Sequence, residues 1–182
     1  MDNAPVGSVP NVSIDLLSSN RHTLNRREEG IAMHEFDFHI DYRVHISDIN
    51  YGGHVANSAV LNFFQDARIA YLKHLGGFSE MDIGGCGLIQ PEAHVKYKAE
   101  MFHNDLLKIW VGVSDIKRSS FALRYRIERA GEVTAEGSTP LVSFNYTRKK
   151  PCRLPEQFRC ALERNLISPE GNEDQGKGAE CS

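Results

Sequence analysis

The sequence lacks a long apolar run, a block of one charge and an apolar leader. No stretch approaches the roughly 20 apolar residues that a membrane span needs, and no basic region followed by an apolar block and a cleavage site opens the chain. The 21 basic and 24 acidic residues give a formal charge of −3 without a long basic block, so nothing indicates nucleic acid or an anionic membrane surface as partner. We therefore expect a cytoplasmic protein that acts on a small metabolite, a carrier or another protein.

Motifs for metals, disulfides and several enzyme classes are also missing. The cysteines form no C-x-x-C pair and no cluster with histidine at zinc-ligand spacing; they are Cys86, Cys152, Cys160 and Cys181. We predict reduced thiols without a role, no metal and no other cofactor. Because the chain has neither a Walker-type phosphate loop nor a G-x-S-x-G elbow, nucleotide hydrolysis and serine-hydrolase chemistry lack the residues they need.

The chain does contain enough apolar residues for one core. With 182 residues, of which 41% are hydrophobic, it fits a single globular domain. Residues 1–32 include proline and glycine without a sustained period, and residues 168–182 are almost wholly polar. We predict a domain at 33–167 between a flexible N-terminal extension, 1–32, and a disordered polar tail, 168–182.

A strand and a long helix open the predicted domain. The run F-D-F-H-I-D-Y-R-V-H-I at 36–46 alternates apolar and polar residues, which is the period of a strand. Its predicted apolar face carries Phe36, Phe38, Ile40, Tyr42, Val44 and Ile46. Apolar residues between Val60 and Leu75 then recur at helical spacing, which predicts a helix of about five turns that ends at Gly76-Gly77.

Four more strands and a short helix follow this pair. Alternation predicts strands at about 88–100, 106–117, 121–130 and 134–148, with turns at Asn104-Asp105 and Ala130-Gly131-Glu132. A second helix is predicted from Pro155 to Asn165. Because only the first helix is large enough to cover a sheet face, we predict an α+β fold in which an antiparallel sheet of about five strands packs on that helix.

A polar, glycine-rich loop separates the first strand from the long helix. Residues 47–58 read S-D-I-N-Y-G-G-H-V-A-N-S. Gly52 and Gly53 permit close backbone approach with free N–H groups, and the helix start adds partial positive charge. Such a loop can bind the carbonyl oxygen that becomes negative during acyl transfer. The alternative is that a strand-to-helix connection simply needs glycines, and these features alone do not decide between the two.

The loop and the helix together match a known pattern. The pattern is D-x-D/N-x-x-G-H/x-V-x-x-N after an alternating strand, followed by F-F-x-x-A-R on the helix. The matching residues are Asp48, Asn50, Gly53, His54, Val55, Asn57, Phe63, Phe64, Ala67 and Arg68. The run V-K-Y-K-A-E-M-F-H-N-D-L-L-K-I at 95–109, Ser120-Phe121 and the late K-K-P-C-R-L-P extend the match to about residues 34–165. In these features the chain resembles the hot-dog-fold acyl thioesterases of the 4-hydroxybenzoyl-CoA thioesterase type.

This resemblance implies a fold, an activity and an assembly. The fold is the hot-dog fold, in which the sheet wraps around one long helix. The activity is hydrolysis of an acyl-CoA or acyl-carrier-protein thioester to a free acid and a thiol. The assembly is a homodimer or homotetramer with acyl sites at the subunit boundary, since a single sheet on one helix leaves an edge uncovered.

The chain departs from the family at the catalytic carboxylate. Most members have an acid at the position of Asn50, and a second position that is often acidic is Gln65 here. Asparagine is neutral and is neither a nucleophile nor an effective general base. The thioesterases of enediyne polyketide pathways are similar to this chain in having Asn and Arg at the positions of Asn50 and Arg68. That likeness implies that Asn50 holds a water or the thioester carbonyl and that Arg68 supports the developing charge.

Two further residues are candidates for the general base. Histidine is the usual base at neutral pH, so His54 is one; a loop histidine bonded to backbone is its alternative. Asp48 is the other, although a carboxylate beside a turn often accepts local N–H groups. Substrate contacts are expected from Tyr51, Gly52, Gly53, Asn57, Gln65 and Arg118. We thus predict an acyl thioesterase, with a catalytically weak hot-dog module that binds an acyl thioester or a partner protein as the alternative.

Overall fold

An antiparallel sheet of seven strands packs around one long helix in the computed structural model, which describes Phe36 and residues 38–167. The elements are β1 (Phe38–Arg43), a 3₁₀ turn (Ile46–Asp48), α1 (Asn57–His74), β2 (Gly87–Ile89), β3 (His94–Tyr97), β4 (Leu106–Ser114), β5 (Ser120–Arg129), β6 (Glu132–Asn145), β7 (Lys150–Pro151) and α2 (Glu156–Arg164). The predicted α+β architecture is confirmed. The extension predicted at 1–32 and the tail predicted at 168–182 lie outside the described residues.

The consecutive strands β4, β5 and β6 pair as hairpins, and β1 and β2 pair with opposite sides of this set. Its order is β1-β4-β5-β6-β2, and the short strands β3 and β7 also pair with β6. The β5–β6 hairpin turns on Ala130 and Gly131, whose φ angles are 50° and 85°. Two consecutive positive φ angles are typical of the two-residue turns that match the twist of a hairpin. The turn predicted at these two residues is therefore confirmed.

One face of α1 forms the centre of the core. Its buried residues are Ala59, Val60, Phe63, Phe64, Ala67, Arg68, Tyr71 and Leu72. All of them except Arg68 pack in one cluster with the inward-facing residues of β4 and β5, and the ring of Phe64 stacks on that of Tyr125 at 4.2 Å. The helix ends where Gly77, with φ of 78°, donates its N–H to the Lys73 carbonyl at 2.8 Å. This is the left-handed end that the glycine pair predicts.

The first strand is shorter than the alternating run. β1 ends at Arg43 and the chain then enters the 3₁₀ turn, which leaves Ile46 72% exposed. In β4, Gly112 lies between two valines that face the core, so the Cβ direction of Gly112 points to the opposite face of the sheet. Phe36 contacts Gly112 on that opposite face. The predicted inward face therefore holds for the alternate residues from Phe38 to Val44. The predictions for Phe36 and Ile46 are wrong, because the regular strand does not extend to either position.

The edge strand predicted at 88–100 is interrupted. It consists of β2 and β3, which pair with separate parts of β6. Pro91 lies in the interruption and has no N–H for a strand ladder. β7 adds two residues at the end of β6. The sheet therefore has seven strands where about five were predicted.

Two of the cysteines meet near the end of β6. Cys86 precedes β2 and Cys152 follows β7; their sulfur atoms lie within bonding distance as a disulfide, with the Cα atoms 7.3 Å apart. The prediction of reduced, unrelated thiols is wrong for this pair. The two residues are 66 positions apart and no motif connects them, so only the pairing of β2 and β7 with β6 brings them together.

Candidate functional site

The glycine-rich loop forms a tight turn beside the start of α1. Ile49 and Val55 form an isolated antiparallel bridge across it. Inside this bridge the N–H of Asn50 donates to the carbonyl oxygen of His54 at 2.9 Å. The ring of Tyr51 stands at the tip and is fully exposed. The loop thus presents its residues at the surface on a backbone that is fixed from both ends.

Asp48 anchors this loop to the first strand and to the helix. Its Oδ2 accepts the Tyr42 hydroxyl and the His45 N–H, each at 2.8 Å. Its carbonyl oxygen accepts the N–H of Ala56 at 2.8 Å. Burial, together with the hydrogen bond to the Asp48 carboxylate, raises the pKa of Tyr42 to about 12. The carboxylate of Asp48 is therefore engaged in holding the loop.

The side chains of Asn50 and His54 meet within the loop. Asn50 accepts the N–H of Gly52 on Oδ1 at 2.8 Å, and its Nδ2 lies 3.4 Å from Nδ1 of His54. The same His54 nitrogen lies 3.2 Å from the carbonyl oxygen of Val55. The tautomer of His54 decides whether Nδ1 accepts from Asn50 or donates to Val55. The structure thus brings together two of the residues that the sequence indicates.

The two glycines shape the loop and offer no free donors. The N–H of Gly52 is bonded to Asn50 Oδ1, and the N–H of Gly53 donates to the Asn50 carbonyl at 3.0 Å. The expectation of free N–H groups at Gly52 and Gly53 is therefore wrong. A Cβ at Gly52 would lie 2.9 Å from Nε2 of His54, and Gly53 has φ of 81°. The close approach and the positive φ explain why glycine occupies both positions.

Accessible backbone donors are instead found at the first turn of α1. Ala56 is the N-cap residue, and no side chain caps the helix start. The first N–H groups of a helix have no intrahelical acceptor and carry partial positive charge. Asn57 and Ser58, the first two helical residues, are exposed. A negatively charged oxygen can therefore approach the helix start next to the Asn50 loop.

A cavity of about 250 Å³ opens beside His54 and the helix start. It is lined by His54, Val55, Asn57, Val60, Tyr97, Lys98, Ala99, Glu100 and Met101. The Tyr97 hydroxyl donates to the Asn57 carbonyl at 3.0 Å, and the Met101 carbonyl accepts the N–H of Val55 at 2.8 Å. The sequence gives no sign of Tyr97, Lys98 and Met101 as site residues, because only long-range pairing places β3 and the segment after it against the loop.

Arg68 lies in a buried polar network on α1. Its Nε donates to Glu80 Oε1 and its Nη1 to Gln90 Oε1, both at 2.6 Å. Burial acts to lower the pKa of Arg68, but Tyr125 and Glu80 raise it above its ordinary value, so the guanidinium stays charged. Arg68 stands about three turns, or about 16 Å, along the helix from Asn57. Within one chain the structure does not bring Arg68 to Asn50.

Gln65 and Arg118 are also remote from the loop within one chain. Gln65 is exposed in the middle of α1, about 12 Å along the helix axis from Asn57. Arg118 is exposed between β4 and β5, at the sheet end where β1 begins. The Asn50 loop, in contrast, follows the opposite end of β1. The residues that the sequence groups as one site therefore fall into separate regions.

A sequence profile of the thioesterase-like superfamily matches residues 44–162, well over half of the chain. The chain belongs to this superfamily. Among characterised proteins, the chain is similar to the acyl-CoA thioesterase YbgC of Haemophilus influenzae. It is 22% identical over 127 residues, which are 69% of this chain and 93% of the relative.

Solved thioesterase structures have the same fold as this superfamily member. A gentisyl-coenzyme A thioesterase is 25% identical, with a TM-score of 0.63, and the match covers 69% of this chain and 99% of that one. A 1,4-dihydroxy-2-naphthoyl-CoA thioesterase from Synechocystis is 21% identical, with a TM-score of 0.63, and the match covers 69% of this chain and 94% of that one. The predicted hot-dog fold and family are confirmed.

Metal-ligand clusters and membrane-spanning helices are both absent from the part of the chain that the structure describes. No group of three or more His, Cys, Asp or Glu side chains there has an arrangement that holds a metal ion. No helix within residues 38–167 combines the length and the apolar character needed to cross a membrane.

Proposed function

We propose that this chain is a thioester hydrolase that cleaves an acyl-CoA to a free acid and coenzyme A, in the cytoplasm. The observation that carries the proposal is the Asn50 and His54 pair beside an uncapped helix start and a cavity, in a chain of the thioesterase-like superfamily. An acyl-carrier-protein thioester has the same reacting group and is the alternative substrate. The named relatives act on acyl-CoA thioesters, which supports coenzyme A as the thiol.

Donors for the reacting oxygen are present at this site. In hydrolysis a water adds to the thioester carbonyl carbon, the carbonyl oxygen becomes negative, and the C–S bond then breaks to release the thiolate, which takes up a proton. In this proposal the Nδ2 of Asn50 and the first N–H groups of α1 donate to that oxygen. The positive charge at the helix start favours the same intermediate.

His54 is the base in this proposal. When its Nδ1 donates to the Val55 carbonyl, its Nε2 has a free lone pair for a proton of the attacking water. In that tautomer both amide hydrogens of Asn50 remain available for the substrate. Asp48 is already bonded to Tyr42 and His45, so it takes no part in proton transfer.

Asn50 acts without becoming charged. Its amide neither attacks the thioester nor takes a proton, so catalysis rests on positioning and on stabilisation of the oxyanion. The Asn50 side chain is shaped or surrounded by Tyr51, Gly52, Gly53 and Asn57. The cavity beyond Asn57 is the proposed place of the acyl group.

A homodimer or homotetramer completes the proposed site. β3 pairs with β6 on one side, and no strand of the described chain pairs with its other side. Gln65, Arg68 and Arg118 are remote from Asn50 of the same chain, and a partner chain can bring copies of them closer. Light scattering is expected to give the mass of a dimer or tetramer; a monomer at every concentration would contradict the assembly.

The direct test of the function is thiol release from short-chain, long-chain, aromatic and carrier-linked thioesters. We expect turnover of at least one substrate, and about a 100-fold loss of kcat in His54→Gln, since a general base contributes that much. The matched control is His103→Gln, an exposed histidine between β3 and β4 that does not line the cavity beside the loop. Equal loss in both variants would contradict the role of His54.

A catalytically weak binding module is the second candidate. It is favoured by the bonds that already engage Oδ1 of Asn50 and the carboxylate of Asp48 within the loop. Calorimetry distinguishes it from the enzyme: binding of an acyl-CoA without thiol release from any thioester of the panel supports the module, and turnover excludes it.

A further inference from the structure

Two half-buried cysteines meet outside the proposed active site. Cys86 lies just before β2 and Cys152 just after β7, with their sulfur atoms within bonding distance. Both side chains are partly exposed, whereas Cys160 in α2 is buried. A small molecule in solution can therefore reach the first two sulfur atoms more readily than the third.

Basic residues lie close to Cys152 in the sequence, and a hydroxyl group contacts its sulfur. Lys150 and Arg153 flank it in sequence, and the exposed Arg148 belongs to the turn that precedes β7. The Ser143 hydroxyl lies 3.2 Å from the Cys152 sulfur, within reach for a hydrogen bond. The thiolate is the form of a cysteine that attacks a disulfide.

One loop connects this pair to the buried arginine. Residues 79–86 end at Cys86 and contain Glu80, whose Oε1 accepts the Nε of Arg68 at 2.6 Å. Between them Gly84 and Gly85 have φ angles of 106° and 89°, which favour glycine and let the chain turn sharply. Within the loop, Asp82 Oδ1 accepts the N–H groups of Gly84 and Gly85 at 2.8 and 2.9 Å. The ion pair with Arg68 and the cysteine pair add a contact at each end of the loop.

We propose that Cys86 and Cys152 are a reversible thiol–disulfide pair whose oxidation fixes the 79–86 loop and, through Glu80, the position of Arg68. Disulfides of reducing compartments are usually transient and sense the redox state, whereas permanent ones belong to oxidising compartments. A reversible pair agrees with the cytoplasmic location proposed above. The Arg68 side chain is the element that the pair controls, because Glu80 is one of its charged partners.

The chemistry is exchange with a small-molecule disulfide such as oxidised glutathione. The Cys152 thiolate attacks one sulfur of that disulfide, which forms a mixed disulfide and releases one glutathione thiolate. The Cys86 thiolate then attacks the Cys152 sulfur and releases the second. The two protein thiols lose two electrons and two protons in total, and one glutathione disulfide becomes two thiols.

Thiol counting on the full chain tests the pair. The protein is equilibrated with reduced or oxidised glutathione, quenched with acid, unfolded and labelled with a maleimide for mass spectrometry. We expect all four cysteines to be labelled after reduction and only Cys160 and Cys181 after oxidation, with Cys86 and Cys152 in one cross-linked peptide. The matched variants are Cys86→Ser, which should give no internal cross-link, and Cys181→Ser, which should keep it. A cross-link through another cysteine, or four labelled thiols in both buffers, would overturn the pair.

Hydrogen exchange tests the control of the loop. We expect the amides of residues 79–86 to exchange at least tenfold more slowly in the oxidised protein than in the reduced one. Cys86→Ser should exchange at the reduced rate in both buffers. Equal exchange in the two states of the unmodified chain would show that the pair does not govern the loop. Both measurements are independent of thioester cleavage, so they can fail or succeed whatever the outcome of the activity assay.

Discussion

A single methyl group at position 52 would disturb both proposed catalytic side chains. The Cβ of Gly52→Ala would lie 2.9 Å from Nε2 of His54 and 3.2 Å from Oδ1 of Asn50. We expect the imidazole to shift, and kcat/KM for thiol release to fall at least about tenfold, because misplacement of about 1 Å is enough for such a loss.

Gly53→Ala is the matched control for this change. Its Cβ would have no heavy atom within 4 Å, but its φ of 81° disfavours any side chain. The strain should lower the free energy of unfolding by about 1–2 kcal/mol, measured in urea, with a smaller effect on the activity of the folded enzyme. Full activity in Gly52→Ala would contradict the proposed arrangement of Asn50 and His54.

Glu80 contributes to stability as an anionic partner of the buried Arg68. Glu80→Ala removes an anionic partner of Arg68, whose side chain is 7% exposed, while the Glu80 side chain is 33% exposed and partly screened by water. We expect a loss of about 1–3 kcal/mol in the free energy of unfolding, below the full cost of breaking a buried pair. Glu163→Ala, which breaks the pair with Arg159 on the surface of α2, should cost about 0.3–0.5 kcal/mol. Equal losses in urea denaturation would show that Arg68 does not depend on Glu80.

Among the elements, the β5–β6 hairpin can be strengthened at its turn. Ala130 has φ of 50°, which an alanine adopts at a cost, whereas asparagine before glycine is preferred in this type of turn. Ala130→Asn should therefore raise the free energy of unfolding by about 0.5–1 kcal/mol. Gly131→Ala, with φ of 85° at that position, should lower it. A thermal or urea melt that reverses this order would contradict the turn.

The elements differ in how far the sequence predicts them. α1, β4 and β5 each bury one face, so their side chains follow the helical or alternating period and these elements were predicted closely. The break between β2 and β3 was missed because the apolar residues continue on both sides of Pro91. Phe36 and Ile46 fit the alternating pattern, but β1 spans only Phe38–Arg43, and a pattern of side chains does not reveal where the regular strand begins or ends.

At the scale of the whole molecule, residues that the sequence assigns to one site lie in separate regions of the folded chain. The tight loop that joins Asn50 to His54 is local, so the sequence motif contains both residues, and the structure adds their contact. Arg68 and Arg118 are separated from this loop by the length of α1 and of the sheet. The contacts of Cys86 with Cys152, and of Met101 with Val55, join distant parts of the chain, and no spacing in the sequence indicates them.

The role of Asn50 is tested by thiol release from the best substrate of the panel, with the unmodified chain and Asn50→Ala compared and both shown to be folded by thermal melting. We expect turnover by the unmodified chain and a loss of about 100-fold or more in kcat on removal of the amide donor. Asn50→Ala that releases thiol as fast as the unmodified chain would contradict the claim that a neutral side chain stabilises the reacting oxygen.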